Sequence, residues 1–526
     1  MFIQYYPLLI SQFRPGGMPL PHFPVRRTEE TVNRDPGDMR LSQRLKDPSA
    51  YLTIQRMRRK ALEALLLAEP TLDNARQALD YICMIVEEST WAAAPETPFD
   101  DENHPLIDLQ AAETAVLFGW ANRLLGQRLN EISPLIINRM ICEVRSRLFR
   151  PIQAHEDYPF MDGQGSCSLA IACDLLLAAL LLEDEARVAK LFKPLLRLLD
   201  ELCGRRGHAL TPLMDTVTDI SAIADLVSLL KRMTRGAMDL TDRVPGNDWL
   251  DEVLFMWIQD DYFHDPAGEH MTPALSGSDI FRIGLIAGDD ALTALGAQIF
   301  RRNRIPSRTV TGRLMEFNAM PLLEAQKEKP PRLRNAALHN NLLMSARIPG
   351  LYCAIHIGGG RANAGDIALF ADQMPILVDG GTDCPVRNLP SLAGYPQLTR
   401  PYRPCIADFE DREDREIMSV DLTCAYPGES ELQSYQRTLL TLREEQTVRI
   451  MDAIVFRQPS RVIYSFVTAT TPTPLNVGLR LGPVHMTWEH DFSVEIRPLS
   501  GFLSEIRLTA GEPIQRAFFT FNLERI

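Results

Sequence analysis

The sequence predicts a multidomain α+β protein: an N-terminal incomplete α/α toroid followed by an antiparallel β-sandwich. Three observations predict it. From Leu41 to about Leu323 apolar residues recur at helical spacing, in segments of similar length divided by proline and glycine. Beyond the charged stretch Glu324 to Arg334, short alternating or β-branched segments separated by turns take over. At 526 residues the chain also exceeds one ordinary core, so the change of pattern marks a change of domain. The expected boundaries are an irregular lead-in over 1–40, the toroid over 41–330 and the sandwich over 331–526.

The lead-in rests on the proline, glycine and arginine of residues 11–40. Helical spacing follows in Ala61–Ala68, Ala75–Val86, Leu109–Leu125, Leu135–Leu148, Ser168–Leu182, Ala186–Leu202, Ile220–Met233, Trp249–Trp257, Ser278–Ile286 and Ala291–Phe300. Pro70, Gly126, Pro134, Pro151, Gly204, Pro245, Pro266 and Gly288 divide them, and Asp73 and Asp184 are candidate N-caps. Many helices joined by short loops, with no strict repeat period, suit a toroid of concentric helix pairs. Strands are expected at Tyr352–Ile357, Asp366–Ala371, Ile376–Asp379, Ser434–Leu442, Thr447–Phe456, Arg461–Thr468, Leu475–Leu481, Val484–Glu489, Ser493–Pro498, Ser504–Thr509 and Gln515–Asn522. Segments of this kind build an antiparallel sandwich, and a cleft between two such domains is a common place for a ligand.

Composition narrows the function. A hydrophobic content of 45% with 23% charged residues is globular, and a formal charge of −13 argues against nucleic acid or an anionic membrane as partner. Nine cysteines without a CxxC or Cys/His spacing read as small buried hydrophobes in a reducing compartment. The first residues carry an apolar patch, Tyr5–Ile10, without a basic flank or small-residue cleavage site, so the expected location is cytoplasmic, or the cell envelope if export takes another route. Gly358-Gly359-Gly360 lacks the lysine and helix of a P-loop, and no Gly-x-Ser-x-Gly elbow, His-Glu-x-x-His pair or EF-hand loop occurs. Asp260-Asp261 and Asp289-Asp290 would suit a glycosidase only if both carboxylates faced one site, and adjacent residues on a helix diverge.

The most informative stretch runs Gly358-Gly359-Gly360-Arg361-Ala362-Asn363-Ala364-Gly365-Asp366-Ile367-Ala368-Leu369-Phe370, then Met374-Pro375-Ile376-Leu377-Val378-Asp379-Gly380-Gly381. It resembles a segment of the heparinase II/III-like polysaccharide lyases. Other stretches resemble the same family in order: Glu87-Glu88-Ser89-Thr90-Trp91, Asn103-His104-Pro105, Ile107-Asp108-Leu109-Gln110-Ala111-Ala112-Glu113-Thr114-Ala115, Ser278 to Gly284, Ser419-Val420-Asp421, Tyr435-Gln436-Arg437 and Met451-Asp452. The resemblance implies a toroid, a sandwich and an acidic oligo- or polysaccharide as partner, and leaves a homodimer open.

Four departures from the family pattern bear on activity, one being Met161-Asp162-Gly163-Gln164-Gly165-Ser166 where the family has an Asn-x-Trp-Asn run. The two histidine places of the glycine-rich motif hold Ala362 and Ala364. The tyrosine-bearing segment of the family is replaced by Gly207-His208-Ala209-Leu210-Thr211-Pro212-Leu213-Met214-Asp215, and its last metal-binding histidine by Tyr402-Arg403-Pro404. Asp379 alone stands at a metal-ligand place, and one carboxylate falls short of the three or four ligands zinc requires, so no cofactor and no metal are expected there.

Uronate β-elimination needs a group to neutralise the carboxylate, a base for the proton beside it and an acid for the leaving oxygen. Alanine supplies none of these. Replacement catalytic residues are His208, Arg403 and Tyr402, with Glu88, Trp91, Arg361, Asn363, Asp366 and Asp379 as saccharide contacts. Each has a plainer reading. His208 reads as a solvated loop residue, Trp91 as core, Asn363 as a turn former, and Asp366 and Asp379 as caps on local backbone donors, while His356, inside an apolar strand, reads as a core or cleft histidine. The expectation is a lyase-like protein that acts on or binds acidic saccharides. The alternatives are a non-catalytic saccharide-binding or regulatory protein on the same scaffold and, further off, a hydrolase.

Overall fold

The structure is a computed structural model, and it describes residues 2–12, 47–93, 99–101, 103–163, 165–183, 185–205, 212–241, 247–265, 273–326, 336–337, 343–358, 363–378, 386–398, 406–499 and 501–526. The chain forms two compact units. One comprises Met1–Arg206, Asp215–Gly246 and Ser276–Pro331; the other Gly207–Met214, Asn247–Leu275 and Arg332–Ile526.

In the first unit, helices start where the sequence supplies a side-chain acceptor. Asp47, Thr71, Asp108, Ser276, Asp289 and Thr309 each accept from a backbone N–H of the first turn. The helix Leu72–Val86 is capped by Thr71, and Asp73 lies inside its first turn, where a carboxylate meets the positive end of the helix. Asp184 lies outside the described residues. Helix Leu135–Val144 passes through a π turn, Arg145–Phe149, into Arg150–Ala154.

Helix Ser168–Leu182, apolar except for Ser168 and Asp174, is buried along its whole length, so it forms the middle of this unit, packed on Leu109–Ile132 and Glu185–Arg205. Small residues let helices approach. A Cβ on Gly277 would stand 2.2 Å from the Phe300 nitrogen, and one on Gly296 2.2 Å from the Phe281 nitrogen, so Gly277–Ala287 and Asp290–Asn303 touch backbone to backbone.

Two parts depart from the sequence expectation. Residues 2–12, inside the expected lead-in, are helical: Phe2 and Leu9 are buried, and the N–H groups of Phe2 and Ile3 donate to Asp200. Helix Asn247–Met256 belongs to the second unit. It leads into the hairpin Trp257–Gln259/Tyr262–Phe263, and the Arg347 guanidinium donates to the carbonyls of Leu254, Phe255 and Trp257.

The second unit is an antiparallel sandwich. An eight-stranded sheet runs, in spatial order, Thr473–Pro474, Leu479–Leu481, Val484–Trp488, Ile514–Arg525, Thr447–Ser460, Leu432–Leu442, Arg415–Asp421 and Ala407–Asp411. A four-stranded sheet orders Phe492–Pro498, Ser504–Ala510, Val462–Thr468 and Pro390–Leu392. A five-stranded sheet runs Ala336–Ala337, Leu343–Ile348, Leu351–His356, Ile367–Ala371 and Met374–Leu377. The three share one core, in which Ile450, Phe519 and Phe521 pack with Tyr464, Phe466 and Ile355. Thr447–Ser460 alternates buried and partly exposed positions along most of its length, as Val462–Thr468 does over its first five, which made them legible. Leu343–Ile348, buried at all but one position, does not alternate and was not anticipated.

Among the described residues no helix is long and apolar enough to cross a membrane. Cys167, Cys173 and Cys353 are buried as expected, whereas Cys83, Cys142 and Cys424 are exposed; all of these are free thiols.

Candidate functional site

The glycine-rich motif joins two neighbouring strands of the five-stranded sheet, Leu351–His356 and Ile367–Ala371. Its ends are pinched together. The His356 N–H donates to the Asp366 carbonyl at 2.9 Å, the Gly365 N–H to the His356 carbonyl at 2.7 Å and the Asp366 N–H to the Asn363 carbonyl at 3.1 Å. Gly365 holds φ +79, and a Cβ there would fall 2.4 Å from a Leu422 methyl. Only glycine meets both conditions.

Asp366 is buried, and its Oδ1 accepts from the Ile367 N–H at 2.9 Å and from the Asn388 N–H and Nδ2 at 3.1 Å each. Asn388, fully buried, also donates to the carbonyls of Ile367 and Val378 and accepts from the Val467 N–H. Asp366 thus ties the motif hairpin to its neighbours. Asn363 is partly exposed in the turn, with its carbonyl taken by Asp366. Ala364 belongs to the sandwich core, and its carbonyl accepts from Gln397.

Beneath the motif lies an aromatic cluster that the sequence reading missed. His264 Nδ1 and the Tyr352 hydroxyl are 3.2 Å apart, with His356 and Phe370 beside them. Burial, helped by His356, pushes the His264 pKa down to about 3, so the ring is neutral, and burial pushes the Tyr352 phenol up. His264 follows a two-residue strand and belongs to no recognisable motif, so sequence offered no signal for it.

The helical unit holds the other predicted contacts. Glu88 is buried and paired with Arg58 at 3.3 Å and Arg59 at 2.8 Å. Trp91 is 1% exposed; its Nε1 donates to the Ile85 carbonyl, its ring meets Phe118 edge-on, and the Arg147 guanidinium lies 4.9 Å from its centre. Neither Glu88 nor Trp91 presents a saccharide-sized surface in this conformation. His208, Arg361, Asp379, Tyr402 and Arg403 lie outside the described residues.

Arg59 connects Glu88 to a small cavity of about 60 Å³ lined by Arg59, Glu63, Glu113, Asp174, Arg308 and Thr309. Burial first, then Glu63 and Asp108, lift the Glu113 pKa to about 7 against the pull of Arg308. Burial and the neighbouring Glu113 raise Asp174 likewise. Glu113 can hold or release a proton near neutrality, although the cavity has room for only a few atoms. Glu113 stands in a segment the sequence singled out; Asp174 and Arg308 come from other elements and carried no signal.

A helical unit is followed by an antiparallel sandwich, and the pinched glycine-rich turn lies in the second unit. The fold is that of heparinase III. The chain superposes on the crystal structure of heparinase III with a TM-score of 0.56 at 10% identity, covering 100% of this chain and 85% of that one. A second solved structure, the heparan sulfate lyase HepC from Pedobacter heparinus, aligns at a TM-score of 0.38 and 10% identity over 92% of this chain and 89% of that one. No protein-family model and no curated protein sequence matches the chain.

Proposed function

We propose that this protein binds acidic, uronic-acid-containing saccharides on a lyase scaffold and that the usual β-elimination is lost. The observation that carries this reading is Ala364, a methyl group packed into the sandwich core at a place where the resembling lyases carry a histidine. A methyl group neither takes nor gives a proton, and loss of one general acid or base costs on the order of 100- to 10,000-fold in rate. The imidazoles of His356, at the foot of the motif, and His264 are buried with the Tyr352 phenol and reach no solvent-borne sugar. On this reading Arg361 and Arg403 clamp the uronate carboxylate, Tyr402 and His208 flank the sugar, and Asp379 holds no zinc.

The test pairs ultraviolet detection of unsaturated uronate with calorimetric binding, over a panel of acidic and neutral polysaccharides. Binding to acidic members without product is expected, weakened by Arg361→Ala and Arg403→Ala. Product that disappears in His208→Ala would instead establish a rebuilt lyase. Binding to neutral polysaccharides alone would overturn the proposal.

A further inference from the structure

His104, His155 and Asp157 come together on the surface of the helical unit, from two loops far apart in sequence. One potential ligand atom from each lies within 4.8 Å of the other two. His104 Nε2 is 2.9 Å from Asp157 Oδ1, and the imidazole rings are 4.8 Å apart, centre to centre. A tetrahedral ion with bonds of about 2.0–2.1 Å separates its ligands by about 3.3 Å. The first pair is therefore near bite distance already, and the third ligand closes by about 1–1.5 Å, within the reach of partly exposed side chains.

The surroundings orient the donors. His155 Nε2 lies 3.0 Å from the Asn103 carbonyl, which can only accept, so that nitrogen carries the proton and Nδ1 is left with its lone pair. A backbone carbonyl on the far nitrogen is the usual arrangement for an imidazole that ligates a metal. His104 stacks on Tyr158 at 4.5 Å and 24°, and Tyr158 is buried and stacks in turn on Phe160, which fixes the plane of the His104 ring. Two imidazoles and one carboxylate suit zinc, cobalt or nickel, whereas calcium and magnesium prefer oxygen throughout.

We propose that His104, His155 and Asp157 form a zinc-class divalent metal site, its remaining position taken by water, that clamps the loop before helix Leu109–Ile132 to the loop before helix Ser168–Leu182. The site draws all three side chains from the helical unit.

The full-length protein, stripped with a chelator, is titrated with zinc by calorimetry and with cobalt by visible absorption. Saturable zinc binding near neutral pH is expected, with a cobalt spectrum of low coordination number. His104→Ala/His155→Ala should lose that equivalent, and Asp157→Asn should weaken binding more than about tenfold. Circular dichroism reports folding, and the exposed Asp157→Asn keeps the test valid if the double variant unfolds. No zinc binding by the native protein, or unchanged binding in Asp157→Asn and any folded double variant, would overturn the proposal.

Discussion

Arg437 and Asp452 stand directly opposite each other on neighbouring strands and form a two-pronged ion pair with no solvent exposure, Nε to Oδ1 at 2.8 Å and Nη2 to Oδ2 at 2.7 Å. Nη1 of the same arginine donates to the carbonyls of Gly365 and Asn388, so the pair reaches from the eight-stranded sheet to the motif turn. Breaking a buried pair by removing one charge costs about 3–5 kcal/mol, because the other stays buried and uncompensated. Asp452→Asn is therefore expected to lose stability on that scale in urea unfolding, and Arg437→Met/Asp452→Leu to lose less than the two single changes summed. A loss under about 1 kcal/mol for Asp452→Asn would contradict this account.

Ala364 gives a second prediction. Its methyl group sits in a packed core beside a turn that tolerates no added atoms at Gly365. Ala364→His is expected to cost about 1–3 kcal/mol by overpacking, and Ala362→His/Ala364→His to yield no unsaturated uronate. Chemical denaturation and the ultraviolet assay check the two halves. Elimination restored in a stable variant would show that the scaffold kept its catalytic geometry.

The fold was legible because the hydrophobic period switches from helical to alternating near the middle of the chain, and most sandwich strands expose one face. It was illegible at Leu343–Ile348, a Leu-Met-Ser-Ala-Arg-Ile run with a single β-branched residue, whereas the equally buried Leu351–His356 was marked by its apolar run, and at Asn247–Met256, whose helical pattern says nothing about which unit receives it. The site was legible in residue type and not in burial. Sequence marked Glu88 and Trp91, yet it could not reveal that Arg58, Arg59 and the Ile85 carbonyl occupy their polar atoms. His264, Asp174 and Arg308 are brought to their places by tertiary packing and belong to no local pattern.

His264 predicts a pH dependence. Its folded pKa, about 3, lies below the ordinary 6.5, so between these values the unfolded chain binds a proton that the folded chain does not. This group leaves stability untouched above pH 6.5 and erodes it as pH falls, by on the order of 1.4 kcal/mol per pH unit inside the window. His264→Asn removes that slope whatever it costs in packing. Unfolding free energies measured from pH 7 to pH 4 should fall less steeply in the variant, and parallel profiles would show that His264 is not held neutral.

Glu113 predicts the opposite sign. With its folded pKa raised from 4.5 to about 7, the folded chain holds a proton that the unfolded chain releases inside that window. Its contribution to stability therefore declines as pH rises from 4.5 to 7, and above pH 7 the cavity holds a charge that burial, Glu63 and Asp108 all oppose. Glu113→Gln keeps the shape of the side chain and removes the charge. The variant is expected to gain more in Tm at pH 8 than at pH 5, a difference that scanning calorimetry reads directly. An equal gain at both pH values would mean that Glu113 is already ionised at pH 5, held so by Arg308 or by water in the cavity.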